Sequence, residues 1–141
     1  MNSAVVDFIK SLRVARLATV DAENRPDVVP ICFAYGEGGV IYSAIDAKPK
    51  KTSGNNLKRI TNIFGNSSVS IVFDRYLEEW DQLGYVIVHG LAHLITTGEE
   101  RDLAEILLRN KYSQYETYLS PGAPIIKILV DRHVSWGDIH C

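Results

Sequence analysis

Apolar side chains recur along the chain with two different periods. Near the start, four of them have the spacing of one helix face: Val5, Phe8, Ile9 and Leu12. This spacing predicts a short amphipathic helix over residues 3–12, capped by Ser3. Three strands are predicted next, because their residues alternate between apolar and polar or are β-branched and aromatic: residues 14–20, 27–35 and 39–45.

The same two periods continue through the rest of the chain. A helix is predicted where four residues recur at helical spacing: Leu57, Ile60, Thr61 and Phe64. Another helix is predicted over residues 99–112, and three more strands complete the set: residues 69–75, 84–96 and 125–136. Six strands with few helices favour a small antiparallel barrel over an α/β sandwich. The sequence therefore predicts a mainly β protein with flanking helices, in a single domain over residues 1–141.

Two residues inside predicted strands interrupt the hydrogen-bond ladder. Proline has no N–H to donate, so Pro30 places its strand, residues 27–35, at a sheet edge or at a bulge. The backbone groups beside Pro30 are then available to another molecule. Gly90 inside residues 84–96 predicts a bulge or a sharp bend.

Composition narrows the class of protein. The 141 residues are 46% hydrophobic and 23% charged, with a net charge of −2, as in ordinary globular proteins. No apolar run approaches the roughly 18 to 20 residues of a membrane helix, and the N-terminus lacks a secretory pattern. Cys32 and Cys141 are too few for a disulfide framework. We therefore expect a cytoplasmic protein with no membrane partner.

One segment, residues 46–60, departs from the acidic balance of the chain. It holds five cations and one acid: Lys48, Lys50, Lys51, Lys58, Arg59 and Asp46. It lies where a predicted strand gives way to a helix N-terminus, whose free N–H groups and partial positive charge attract anions. Thr52 at the predicted cap adds a hydroxyl donor. The segment is either a phosphate cradle or a solvated surface turn.

Nucleic acid is the alternative anionic partner. Small barrels with basic edges bind single strands on aromatic platforms, and Phe33, Tyr35 and Tyr42 lie in strands near the cationic segment. The net negative charge and the absence of a basic face argue against this alternative, so no nucleic acid is expected.

The sequence predicts no catalytic residue and no metal site. His89 and His93 are four residues apart, but in a strand they share a face and lack the glutamate of a helical zinc motif. They are expected to be structural or to lie near a cofactor. Cys32 lies in an apolar strand and is expected to be an unreactive core thiol.

Four segments together carry a family likeness: "VARLATVDAENRPDVVPICFAY", "IYSAIDAKPKKT", "LKRITNIFGNSSVSIVFD" and "EEWDQLGYVIVHGLAHLI". In order and spacing they resemble the flavin-binding split β-barrels of the pyridoxamine 5'-phosphate oxidase-like superfamily. The likeness runs from about residue 12 to Trp136, and it points to the short branch of probable coenzyme F420-dependent enzymes. It implies a six-stranded antiparallel Greek-key split barrel that forms a homodimer, with two cofactors in grooves at the interface.

The resemblance also implies a set of cofactor-binding residues. The phosphate would be held by Lys50, Lys51 and Thr52, with Lys48 close by. Two backbone stretches would lie along the ring system or ribityl chain: Val29, Pro30 and Ile31, and Ser43, Ala44, Ile45 and Asp46. Trp80 and Trp136 would lie near the interface, where they would either reach the cofactor of the partner or serve only as core or interface anchors.

The chain departs from true pyridoxamine 5'-phosphate oxidases, which end in an arginine-rich substrate-binding segment. Arg132 is the only arginine in the last thirty residues, so oxidation of vitamin B6 is not expected. The long, open cationic segment suits the phosphodiester and acidic tail of coenzyme F420 better than the compact phosphate of FMN. Haem bound through His89 or His93 is a further alternative.

The expected function is therefore a flavin- or deazaflavin-dependent oxidoreductase. The cofactor ring would carry two electrons to or from an unknown small organic substrate, and the protein would position both. A non-catalytic flavin-binding module is the alternative within the same family, and a single-strand nucleic-acid binder is the alternative outside it.

Replacing both Lys50 and Lys51 by alanine should weaken cofactor binding. Each charged hydrogen bond that is lost should cost about 1.5–3 kcal/mol, whereas the fold should persist because both side chains are expected at the surface. Titration of the double variant with FMN and with coenzyme F420 checks this, and unchanged affinity would rule out the phosphate cradle.

Overall fold

The structure, a computed structural model, describes residues 1–46 and 54–140. Within these ranges the helices are α1 (Ser3–Ser11), α2 (Gly54–Gly65), α3 (Glu99–Lys111) and α4 (Tyr115–Tyr118), with a 3₁₀ turn at Trp80–Gln82. The strands are β1 (Ala15–Val20), β2 (Pro26–Ile31), β3 (Ala34–Gly36), β4 (Val40–Ala44), β5 (Ser68–Arg75), β6 (Gly84–Ile95) and β7 (Ile125–Gly137). None of these helices is long and apolar enough to cross a membrane.

The strands form one antiparallel sheet in the order β2-β1-β5-β6-β7-β4-β3. Its two edge strands, β2 and β3, are consecutive in the chain and are separated only by Cys32 and Phe33. Because two residues span only a few ångströms, the sheet must curl until its edges approach each other. The fold is therefore the mainly β split barrel that the sequence predicts.

The predicted number of six strands is wrong, because the single strand expected over residues 27–35 is two strands on opposite edges. The break is held by Tyr112 from the end of α3. Its hydroxyl accepts a hydrogen bond from the Phe33 N–H at 3.0 Å and lies 2.8 Å from the Arg13 carbonyl oxygen. The predicted edge position of Pro30 is confirmed, since β1 is the one described strand with which β2 pairs.

Two apolar clusters divide the core. The first fills the inside of the curled sheet, where α1 adds Phe8 and Ile9 to residues such as Leu17, Ile71 and Val88. The second lies outside β3 and β4, where α3 and α4 pack against that part of the sheet. No described helix covers the rest of the outer face, which β1, β2, β5, β6 and β7 form.

The bend at Gly90 is confirmed as a bulge. The pairing of β6 with β7 shifts from His89 opposite Arg132 to Gly90 opposite Val130, which leaves Asp131 as the extra residue. A Cβ atom at Gly90 would lie 2.1 Å from the Leu129 carbonyl oxygen, so only glycine fits there.

Local differences from the sequence prediction occur at two helices. Asn2, rather than Ser3, caps α1, and its side chain accepts a hydrogen bond from the Val5 N–H at 3.0 Å. The short helix α4 was not predicted, because its four residues are too few to show a helical period.

An ionic cluster on α3 fixes α4 and the loop that follows it. Glu105 accepts hydrogen bonds from Arg101, from Arg109 and from the Gly122 N–H. The two arginines also donate to the carbonyl oxygens of this region: Tyr115, Leu119 and Ala123. The same loop reaches the end of β4, because the Ile45 N–H donates to the Pro124 carbonyl oxygen at 2.9 Å.

Glu105→Gln should reduce stability at neutral pH and flatten its acid dependence. Burial raises the pKa of Glu105, but the hydrogen bonds outweigh it and lower the pKa to about 2. The carboxylate therefore stabilises the fold above its ordinary pKa near 4.5, and this contribution is lost as the pH falls toward 2. The charged hydrogen bonds should be worth about 1.5–3 kcal/mol at pH 7.

Urea unfolding at a series of pH values measures both effects, with the exposed Glu116→Gln on α4 as the matched control. An equal acid dependence in Glu105→Gln and the wild type would show that the ionic cluster does not contribute.

Candidate functional site

The candidate site lies where the edge strand β2, the end of β4 and helix α2 meet. The Ser43 hydroxyl donates to the Cys32 carbonyl oxygen at 2.9 Å, which joins β4 to the residue that follows β2. As an edge strand, β2 leaves part of its backbone N–H and C=O groups outside the sheet ladder. The structure therefore brings together the two backbone stretches, around Ile31 and around Ser43, that the resemblance assigned to one cofactor.

Helix α2 is attached to the sheet by polar contacts. Asn62 donates to the Thr19 hydroxyl at 3.0 Å and to the Asp27 carboxylate at 2.8 Å. Lys58 forms an ion pair with Asp27, with 3.0 Å between Nζ and Oδ1. The sequence predicted the helix, but it did not predict which residues of the helix face the sheet. Ile63 is buried beside these polar groups, whereas Phe64, which belongs to the predicted apolar pattern, is 73% exposed.

A buried charged group lies at the base of the site. Arg59 on α2 is only 7% exposed, and burial lowers its pKa while the charge of Asp46 opposes that shift. The Tyr115 hydroxyl donates to Asp46 Oδ2 at 2.5 Å. Burial and the hydrogen bond to Asp46 raise the pKa of Tyr115 well above its ordinary value. The carboxylate, the guanidinium and the phenol thus form one cluster at the end of β4.

One buried donor in this cluster, the N–H of Arg59 Nε, makes no hydrogen bond within the residues that the structure describes. Buried donors of this kind are rare, and an unmade bond costs about 1–3 kcal/mol. The oxygen atoms of a phosphate are acceptors of the kind that this donor lacks.

Four of the predicted phosphate ligands lie outside the described residues: Lys48, Lys50, Lys51 and Thr52. The described members of the cationic segment differ from one another. Lys58 is an exposed partner of Asp27, whereas Arg59 is buried beside Asp46. Their spacing in the sequence gave no sign of this difference, because it depends on which side of α2 faces the sheet.

The remaining candidate residues lie on the outer face of the sheet or next to it. Trp80 is in the 3₁₀ turn and is 69% exposed, and the ring of Trp136 stacks on Tyr85 with 5.5 Å between centroids. His89 and His93 share the outer face of β6, as expected, and His89 Nδ1 lies 2.7 Å from the Ser70 hydroxyl. Among residues 1–46 and 54–140, no cluster of three or more His, Cys, Asp or Glu side chains could hold a metal ion.

A cavity of about 390 Å³ adjoins the site and was not expected from the sequence. Its lining residues come from three separate parts of the chain: Arg13, Cys32, Tyr112, Ser113, Gln114, Tyr115 and Tyr118. Cys32 and Tyr115 belong to both the cavity wall and the neighbourhood of Asp46 and Ser43. The one signal in the sequence was the regular recurrence of tyrosine in "YSQYETY".

Comparison by sequence gives one family. A family model described as "Pyridoxamine 5'-phosphate oxidase" matches residues 1–139. No curated protein matches the chain.

Comparison by structure gives several proteins with the same fold. The conserved hypothetical protein Rv2991 from Mycobacterium tuberculosis is 20% identical, with a TM-score of 0.75, over 98% of this chain and 86% of that one. An FAD-binding protein from Mesorhizobium loti is 20% identical, with a TM-score of 0.70, over 92% and 87%. The heme storage protein HutZ from Vibrio cholerae is 14% identical, with a TM-score of 0.71, over 94% and 91%. At these identities the likeness shows the fold alone.

Tyr115→Phe should destabilise the protein by about 1–3 kcal/mol, because it removes a hydrogen bond to the buried carboxylate of Asp46. Tyr118→Phe is the matched control, because the Tyr118 hydroxyl has no hydrogen-bond partner within residues 1–46 and 54–140. The stability of this variant should stay within about 0.5 kcal/mol of the wild type. Thermal and urea unfolding measure both variants. Equal stability of the two would show that the hydroxyl of Tyr115 does not stabilise the base of the site.

Proposed function

The chain belongs to the pyridoxamine 5'-phosphate oxidase family, and from this premise we propose that it binds a flavin-type cofactor and transfers two electrons to or from a small organic molecule. Coenzyme F420 is the favoured cofactor and FMN the second choice. The observation that carries the proposal is the buried N–H of Arg59, which has no acceptor among the described residues. The oxygen atoms of a bound phosphate are acceptors of the right charge for it.

The cationic segment lies between two elements of the site. In the sequence it begins at Asp46, two residues after β4, and ends within α2, which carries Arg59. In this proposal Lys50, Lys51 and Thr52 bind the phosphate of the cofactor, with Lys48 close by and with Arg59 as a further hydrogen-bond donor. The backbone of Val29 to Ile31 and of Ser43 to Asp46 then lies along the ring and the ribityl chain.

The chemistry of electron transfer comes from the cofactor ring when it is bound. The residues of the chain bind and orient it and exclude water. Ser43 is 1% exposed, and its hydroxyl fixes the position of Cys32 relative to the end of β4. No acid or nucleophile of the chain takes part in the proposed transfer.

The proposal includes a homodimer. The outer sheet face that no described helix covers carries large exposed apolar side chains, among them Val28, Leu91, Val134 and Trp136. Apolar surface of this kind is typical of an interface, and a second copy would bury it. Trp80 and Trp136 would then lie close to the cofactor of the partner. We also propose that the protein is cytoplasmic, because its two cysteines are too few for the disulfide framework of a small secreted protein.

Titration of the purified protein with FMN, with coenzyme F420 and with hemin tests the proposal. Quenching of Trp80 and Trp136 fluorescence should saturate at micromolar concentrations of coenzyme F420 or FMN, and sedimentation of the same samples should give a dimer. Saturation by neither would contradict the proposal.

Two other outcomes point to alternative functions. Binding of hemin alone would favour a role like that of HutZ. Flavin binding without turnover on a broad panel of substrates would favour a non-catalytic flavin-binding module.

A further inference from the structure

The cavity beside the candidate site has the size of a small-molecule pocket. Its volume of about 390 Å³ falls within the range of roughly 300–1,000 Å³ in which such ligands bind. Three of its seven lining residues are tyrosines. The cavity is therefore large enough for a ligand of one or two rings.

Two of the three lining tyrosines, Tyr112 and Tyr115, are buried, and their hydroxyls are already engaged within the protein. Tyr115 donates to Asp46, and the hydroxyl of Tyr112 is bound at the break between β2 and β3. The two rings are tilted by 46° with their centroids 5.3 Å apart. Aromatic surfaces of this kind favour a flat, apolar ligand body.

Two cations without a carboxylate partner in the described ranges lie at or next to the cavity wall: Arg13 lines it, and the Lys111 ammonium lies 5.3 Å from the ring centroid of Tyr112, which also lines it. Arg13 donates to the Lys111 carbonyl oxygen at 2.6 Å, and its guanidinium lies 4.7 Å from the Tyr112 ring centroid. The Lys111 ammonium lies 3.6 Å from the centroid of Phe33. Burial, and then the charge of Arg13, lower the pKa of Lys111 to about 8. The cavity wall beside these cations thus carries positive charge that an anion would neutralise.

We propose that this cavity binds a small aromatic anion, with its ring against the tyrosines and its charged group beside Arg13 and Lys111. Cys32 and Tyr115 of the cavity wall form hydrogen bonds with Ser43 and Asp46 of the proposed cofactor site, so this anion is the substrate class of the proposed oxidoreductase. The role as substrate rests on the proposed function, whereas binding of the anion does not.

Calorimetric titration of the cofactor-free protein with 2-naphthoate tests the binding, and 2-naphthamide serves as the neutral control of the same shape. The carboxylate should bind about tenfold more tightly than the amide at pH 7, a difference of about 1.4 kcal/mol. Equal binding of the two, or no binding of either, would overturn the proposal.

Variants test where the anion binds. Arg13→Gln and Lys111→Met should each weaken 2-naphthoate binding about five- to tenfold, by loss of one charge. Arg25→Gln is the matched control, because this exposed arginine lies in the turn at the other end of β1 and pairs with Asp21. A loss in Arg25→Gln as large as that in Arg13→Gln would contradict the assignment.

A second readout does not depend on the stability of these variants. In the wild type, bound 2-naphthoate should raise the pKa of Lys111, followed by NMR of the lysine side chains. Arg13 and Cys32 are the titrating groups that act on Lys111, and the rings of Phe33 and Tyr112 pack beside it. An unchanged pKa on saturation would overturn the proposal. Binding of 2-naphthoate without binding of any flavin would support the anion site in the cavity and contradict the proposed oxidoreductase function.

Discussion

The curled shape of the sheet depends on the hydroxyl group of Tyr112. This hydroxyl lies where the chain leaves one edge of the sheet, at the end of β2, and enters the opposite edge, at the start of β3. At Cys32 and Phe33 the backbone pairs with no strand of residues 1–46 and 54–140, yet Phe33 is fully buried. Buried backbone groups must be paired, and Tyr112 supplies the partner from a helix that is 79 residues away. This contact fixes the short connection between β2 and β3, and Tyr112 also forms part of the wall of the neighbouring cavity.

The second constraint is electrostatic. Helix α2 packs on the sheet through Asn62, Lys58 and Arg59, whereas its aromatic Phe64 is exposed. A helix can pack a polar face against a sheet only if the charges on that face are balanced, because each buried charge without a partner is costly. Asp27 and Asp46 supply the negative charge on the sheet side. The same residues that hold the helix therefore set the local charge that a phosphate would meet.

The sequence predicted most strands well, but it predicted neither the burial of Arg59 nor the cavity. The boundaries of β1, β5, β6 and β7 follow from alternation and from turn residues, which are local properties of the chain. The division of residues 27–35 could not be predicted, because it is imposed by Tyr112 from a distant helix. The burial of Arg59 likewise depends on the acids that face α2. The cavity brings Arg13, Cys32 and Tyr118 together from three elements, and no spacing in the sequence shows that.

The closure at Tyr112 also has a consequence for the order of folding. The pairs β1–β2, β3–β4 and β5–β6 are hairpins or near neighbours in the chain, and such local contacts form early. By contrast, β4 pairs with β7, and Phe33 meets Tyr112, only when the last third of the chain is present. During synthesis from the N-terminus, β1 therefore waits for β5, and β4 waits for β7. The candidate site and the cavity are therefore late products of folding, because both need residues from the last third of the chain.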